Sequence, residues 1–137
     1  MNVPDIPPAR INGGAEHLVL GLKTRELLAA MVYDLASGRD LMNRERLVTI
    51  TLVYAETLQR FHTRNPFASG GVYEDPATGA ATAAFAGYLR DIGWPHNGMI
   101  NIVQGEDMGM RSHLKAKIPP ERGSSIRISG TARIMEP

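Results

Sequence analysis

Glu74-Asp75-Pro76-Ala77-Thr78-Gly79-Ala80-Ala81-Thr82-Ala83-Ala84-Phe85-Ala86-Gly87-Tyr88-Leu89 is the stretch whose reading decides the fold of this chain. From Gly79 to Leu89 its only polar groups are the hydroxyls of Thr82 and Tyr88, and alanine or glycine fills most other positions. A helix that is apolar on all sides is enclosed by the rest of its domain. Its small side chains let sheet backbones come close. Gly93 and then Pro95 supply the stop signal.

The segments around this helix read mainly as strands. Met99 to Gln104 carries Ile100 and Ile102 on one side. Arg111 to Ile118 sets Leu114, Ala116 and Ile118 against Arg111, His113, Lys115 and Lys117. Ser125 to Ile134 likewise sets Ile126, Ile128, Ala132 and Ile134 against Arg127, Ser129, Thr131 and Arg133. One face buried and one wet is the mark of antiparallel sheet. Upstream, His17 to Leu22 and Leu47 to Tyr54 read as strands, the second with Val48, Ile50, Leu52 and Tyr54 on one face. Thr57 to His62 is expected to pair with it. Asn65-Pro66 and Ser69-Gly70-Gly71 mark Thr63 to Tyr73 as a loop. Thr24 to Asp34 has helical spacing, with Thr24 as its cap. Leu35 to Arg46, being polar, reads as a loop with a helical turn. The fold class expected is α+β: a mostly antiparallel, curved sheet wrapped around one central helix.

At 137 residues the chain is of single-domain size, large enough to bury an ordinary core. Pro4, Pro7 and Pro8 make residues 1–14 an extended lead-in or linker, and residues 15–137 form the domain. That opening has no apolar core of a secretory signal, and no apolar run approaches the ~20 residues of a membrane span. Fifteen basic and fourteen acidic residues give a net charge of +1, mixed along the chain with no basic stripe. Neither nucleic acid nor membrane is expected as a partner. Cysteine is absent, which removes disulfides, thiolate nucleophiles and cysteine metal sites. A cytoplasmic address is expected.

The candidate site lies at the helix mouth. Two cap readings stand side by side: Asp75 as N-cap with Pro76 at the first helical position, or Thr78 capping a helix that starts at Gly79. In both, backbone N–H groups near Thr78, Gly79 and Ala80 point out of the helix without intrahelical partners. The positive end of the helix dipole adds to them and favours an anion such as a substrate carboxylate. Gly79, lacking a side chain, admits a ligand close to the backbone. The spacing alone is equally served by Asp75 and Thr78 acting only as structural caps.

Other chemistry has less to recommend it. His17, His62, His96 and His113 lack metal-ligand spacing. His62 ends a strand leading toward the cup and is a candidate to approach a substrate, with ordinary packing as the alternative. Arg60 and Arg64 are candidates to attract a carboxylate. Glu106 and Asp107 read as solvated turn residues, and Glu74 and Asp75, as neighbours on an extended segment, point apart.

Arg60-Phe61, then Glu74-Asp75-Pro76-Ala77-Thr78-Gly79, then Phe85-Ala86-Gly87-Tyr88-Leu89, then Gln104-Gly105-Glu106-Asp107-Met108-Gly109 resemble the C-terminal half of the phenazine-biosynthesis PhzF-like isomerase family, within the diaminopimelate epimerase superfamily. The resemblance runs from about Ile11 to the end. It implies one of two similar halves that flank a cleft, with Asp75, Gly79 and Ala80 lining the cleft and Thr78 beside them. It also implies cofactor-free proton transfer on a small carboxylate-bearing metabolite. The partner implied is a complementary N-terminal-half protein or a second copy of the chain.

Three departures bear on that expectation. The family's main acid/base is a glutamate of the N-terminal half, and no glutamate here takes that role by motif, so no catalytic residue is assigned. The motif usually ends Thr-Gly-Ser-Ala, and Ala80 removes the hydroxyl. Met110 and Arg111 stand where an arginine and a proline are usual. Related epimerases use paired cysteines, which this chain lacks. The competing expectation is a non-catalytic binding or assembly module with the same fold.

Overall fold

The computed structural model describes residues 5–12, 16–32, 34–47, 49–67, 72–75, 79–121 and 125–134. The elements in chain order are β1 (Ala9–Asn12), β2 (Glu16–Leu22), α1 (Arg25–Ala29), α2 (Leu35–Glu45), β3 (Thr49–Ala55), β4 (Arg60–Phe67), β5 (Val72–Asp75), α3 (Gly79–Asp91), β6 (Met99–Gln104), β7 (Met110–Lys117) and β8 (Arg127–Ile134). A 3₁₀ turn at Glu106–Met108 joins β6 to β7.

The strands form one sheet in the order β1-β2-β3-β4-β6-β7-β8, with β5 paired to β4 as a side branch. The β2–β3 and β4–β6 neighbours are parallel, and the remaining pairs are antiparallel. Each parallel pair needs a crossover, and the two crossovers carry the helices. The first holds α1 and α2, the second β5 and α3. This is the expected α+β architecture, a curved and mostly antiparallel sheet around a central helix.

The inner face of the sheet is the one α3 packs on. Phe85, Ala86 and Leu89 of α3 join Val19, Val53, Phe61, Ile100, Ile102 and Ala116 in one core cluster. The rings of Phe61 and Phe85 meet edge to face at 5.2 Å, a geometry that adds about 0.5–1.5 kcal/mol to their burial. The α3 terminus follows the stop signal closely. Gly93 adopts the left-handed conformation at φ 77°. Its N–H donates to the Arg90 carbonyl and that of Trp94 to the Leu89 carbonyl, the paired closure that satisfies orphan carbonyls at a helix end.

The enclosure of α3 is incomplete. Ala81, Thr82, Ala84, Phe85, Ala86 and Leu89 are buried, whereas Ala83, Gly87, Tyr88 and Arg90 are half-buried. The tail of the helix is fastened by side chains bonding to loop carbonyls: Tyr88 Oη donates to Pro7 at 2.7 Å, Arg90 Nη1 to Pro119 at 3.0 Å and Trp94 Nε1 to Leu58 at 2.8 Å.

Several expectations are corrected. Residues 9–12, within the segment read as a lead-in, form β1, and Ile6 and Ile11 belong to the core. Gly21 makes room for this: a Cβ there would lie 2.8 Å from the Ile6 carbonyl oxygen. The helix capped by Thr24 stops at Ala29, although the cap is as expected, with Thr24 Oγ1 accepting from Leu27 N at 3.1 Å. Leu35–Glu45, read as a loop, is an 11-residue helix. Asp34 caps it by accepting from Ser37 N at 2.9 Å, and that hydrogen bond holds the Asp34 pKa below its ordinary value.

β4 continues to Phe67 rather than ending at His62. Its Pro66 sits at a register shift against β5, where a missing N–H is tolerated. In β3 the inward residues are Thr51 and Val53. Ile50 instead packs outward on Met42 and Leu47 beneath α2, so both sides of this strand are covered.

Candidate functional site

Register along the strands gives the inner face two zones. Around the α3 tail it is apolar. Towards the other end it turns polar, with His17, Thr51, Thr63, Asn65, Gln104 and Ser112 all buried. The pairing puts Gln104 opposite both Thr63 and Ser112, forming one row across β4, β6 and β7. Beside that row Asn65 Nδ2 donates to Thr51 Oγ1 at 2.9 Å. Thr63 Oγ1 and Ser112 Oγ have no hydrogen-bond partner among the described residues. Buried hydroxyls left this way cost stability and call for a reason other than folding.

This polar belt lies level with the mouth of α3. Phe85 sits against Phe61, and six residues of helix back from it to Gly79 cover about 9 Å. Thr63 and Asn65 lie two and four residues beyond Phe61, or about 7 and 14 Å along the strand. The first turn of α3 therefore opens where the inner face changes from apolar to polar. Thr82, in that turn, is buried too.

α3 begins at Gly79. Asp75 is the last residue of β5, its Cα paired with that of Asn65. Pro76 and Ala77, on which the choice between the two cap readings turns, lie outside the described residues, as does Thr78. Gly79 is exposed, and a Cβ built there meets nothing within 4 Å among the described residues. Ala80 follows it in the first turn. The mouth thus presents N–H groups beside open space, at the positive end of a 13-residue helix.

The belt carries hydroxyls, carboxamides and His17, whose pKa is lowered by burial. An uncharged lining leaves the helix end as the main electrostatic feature facing an anion. Among the described residues no cluster of histidine and carboxylate side chains could hold a metal ion.

The remaining charged candidates lie on the opposite, outer face. His62 Nε2 is 3.1 Å from Glu56 Oε1, and His62 Nδ1 is 3.6 Å from Glu106 Oε2. Arg60 pairs with Glu56 at 3.1 Å. Arg64 is buried and its Nη1 donates to the Leu28 and Ala29 carbonyls at 3.2 and 3.1 Å, at the negative end of α1. Asp107 pairs with Arg25 at 3.0 Å. These residues bind α1 and the 3₁₀ turn to the sheet. They do not gather at the α3 mouth. The belt was missed by sequence reasoning because each strand contributes only one or two polar residues at its end. The signal available was Gln104 and Ser112 at inward positions of otherwise apolar alternations.

Comparison with known proteins agrees with this architecture. Residues 2–136 match the model of the PhzC-PhzF family, described as phenazine biosynthesis-like protein. An uncharacterised isomerase of Mesorhizobium japonicum is 40% identical over 76 residues, covering 53% of this chain and 25% of that protein. Among solved structures, a PhzC/PhzF phenazine biosynthesis protein of Clostridium difficile superposes with TM-score 0.66 at 16% identity, covering 97% of this chain and 54% of that one. A PhzF-family protein of Enterococcus faecalis gives 0.64 at 20% identity, covering 98% and 54%. One of Bacillus anthracis gives 0.63 at 17% identity, covering 90% and 44%. The chain spans about half the length of these structures and about a quarter of the curated relative. With its fold, its helix mouth and its sequence match taken together, the chain belongs to the phenazine biosynthesis-like PhzC-PhzF family.

Proposed function

We propose that this chain forms one wall of a two-lobed cleft in which a small carboxylate-bearing metabolite is isomerised by cofactor-free proton transfer. The observation that carries the reading is the open mouth of α3 at Gly79, set level with a buried, uncharged polar belt. The first-turn N–H groups near Gly79 and Ala80 hold the substrate carboxylate, with Thr78 beside them. Asp75, at the end of β5, orients the substrate at the edge of the cleft. A carboxylate base on the second lobe removes a proton from carbon and returns it at another position. Such a base works best with its pKa raised towards neutrality by burial.

The second lobe is a complementary N-terminal-half protein or another copy of this chain. Solved relatives about twice as long support that assignment. No described helix is long and apolar enough to cross a membrane. The reading includes a cytoplasmic address, in keeping with a chain free of cysteine.

The test is assembly followed by exchange. Sedimentation should show a dimer, either with a co-expressed N-terminal lobe or of the chain itself. That assembly, incubated in deuterium oxide with a panel of small hydroxy- and amino-carboxylates, should wash deuterium into a C–H position followed by proton NMR. A folded, lone monomer that binds no carboxylate would overturn the proposal and leave an assembly module with the same fold.

A further inference from the structure

The outer face of β7 and β8 is a second feature, remote from the α3 mouth. Alternation turns Leu114, Ala116 and Ile118 inward, and Arg111, His113, Lys115 and Lys117 outward. The register sets Arg127 of β8 directly opposite Lys117. Lys115, Lys117, His113 and Arg127 are exposed, and Arg111 is half-buried. None of the five is engaged by a carboxylate or other hydrogen-bond partner among the described residues. Arg10, Arg25, Arg60 and Arg64, by contrast, all take part in ion pairs.

The net charge of the chain is only +1, so this concentration on one face is not a reflection of overall basicity. It is also costly, because like charges directly opposite on neighbouring strands destabilise a sheet. Charges that guard a sheet edge against aggregation would explain β8, the edge strand. They do not explain Arg111, Lys115 and Lys117, which lie on β7, inside the sheet. A hollow of about 370 Å³ runs across the same face between Asn101, His113, Lys115 and Ser129.

The composition of the face points to its occupant. Protein–protein contacts favour aromatic residues and methionine and are poor in lysine. The outward positions of β7 carry two lysines and no aromatic or methionine between Arg111 and Lys117. Membrane-surface binding needs apolar side chains to insert, and among the described residues the large exposed apolar ones, Leu27, Val32, Leu41, Ile92 and Met108, lie elsewhere. Lysine, arginine and serine donors without an aromatic platform suit phosphate oxygens, which position a nucleic acid without reading its sequence. From Arg111 to Lys117 the row spans about 20 Å, the length of about six phosphates along one strand of a duplex.

We propose that the outer face of β7 and β8 binds the phosphate backbone of nucleic acid, independent of sequence, through Arg111, Lys115, Lys117 and Arg127. A linear search for basic stripes does not find the patch, because alternate positions on two strands are brought together only by pairing.

The experiment is fluorescence anisotropy with two labelled 20-base-pair DNA duplexes of unrelated sequence, titrated with the full chain between 50 and 200 mM salt. Engagement of about four phosphates gives a slope of log K against log salt near −3.6 and a loss of affinity of about a hundredfold over that range. Both duplexes should bind within about threefold of each other. The triple variant Lys115→Glu, Lys117→Glu, Arg127→Glu should lose at least a hundredfold in affinity at 50 mM salt while melting at or above the wild-type temperature.

No binding, a slope near zero, or a triple variant that binds as well as the parent would overturn the proposal. So would a strong preference for one sequence. A polyglutamate peptide binding as tightly as the duplexes at equal salt would overturn it in favour of an acidic protein segment.

Discussion

Replacing Gly79 by aspartate separates the structural role of the α3 mouth from the anion-binding role proposed for it. The Cβ meets none of the described residues, so they do not resist it. Gly79→Asp recovers about 0.3 kcal/mol of the cost of a helical glycine, aspartate being itself a weak helix former. It also adds a negative charge in the first helical turn, worth about 0.3–1 kcal/mol against the dipole. Together these raise stability by about 1 kcal/mol and the melting temperature by about 4 °C for a chain of this size. A carboxylate ligand held by the same N–H groups would meet that charge at about 5 Å. With an effective dielectric constant of about 20 the repulsion is about 3 kcal/mol, or about two orders of magnitude in affinity. Acetate titration followed by the amide resonances of residues 79–82, beside thermal melts, reads both quantities. Gly79→Ala serves as control, gaining stability without the repulsion. An aspartate variant that binds acetate as the parent does, or that melts lower, would refute the assignment of the mouth as an anion site.

Thr63→Val and Ser112→Ala remove hydroxyls that have no partner among the described residues. Each should leave stability unchanged or raise it by up to about 1 kcal/mol, and a clear loss in urea melts would show the hydroxyls to be satisfied. Gly21→Ala drives a methyl group against the Ile6 carbonyl. It should cost about 1–3 kcal/mol, with amide protection in β1 falling first; unchanged exchange there would contradict the packing described.

Burial lowers the pKa of His17, and burial together with the charge of Arg90 lowers that of His96. The unfolded chain therefore takes up these protons first. Stability should be full above the ordinary value of 6.5 and decline as pH falls below it, by at most about 1.4 kcal/mol per pH unit for each histidine. His17→Asn should flatten that slope in urea melts between pH 7.5 and 5.5. A slope identical to the parent's would be inconsistent with the burial of His17.

The central helix and the two C-terminal strands were legible because their signals are local. An unbroken small and apolar run cannot be a surface helix, and the clean alternation of Arg111 to Ile118 needs no knowledge of its neighbours. α2 was illegible because its helix rests on a cap at Asp34 and a single fully buried residue, Met42. Its remaining polarity imitates a loop. β3 misled because it is covered on both sides, which makes outward Ile50 look as inward as Val53. β4 was cut short at Asn65-Pro66, a turn signal that a register shift against β5 absorbs. The site was half legible. The proposed cup is formed by residues adjacent in sequence, whereas Thr63, Gln104 and Ser112 become neighbours only through register. No linear pattern holds that information.

The fastening of α3 at its tail has a further consequence. The bonds from Tyr88, Arg90 and Trp94 to loop carbonyls secure the helix at the end away from the mouth. Residues at the opposite end can then change with small effect on folding. Ala80, in the first turn of the helix, is a position of that kind. Selection can alter what the crevice accepts while the body of the domain stays as it is.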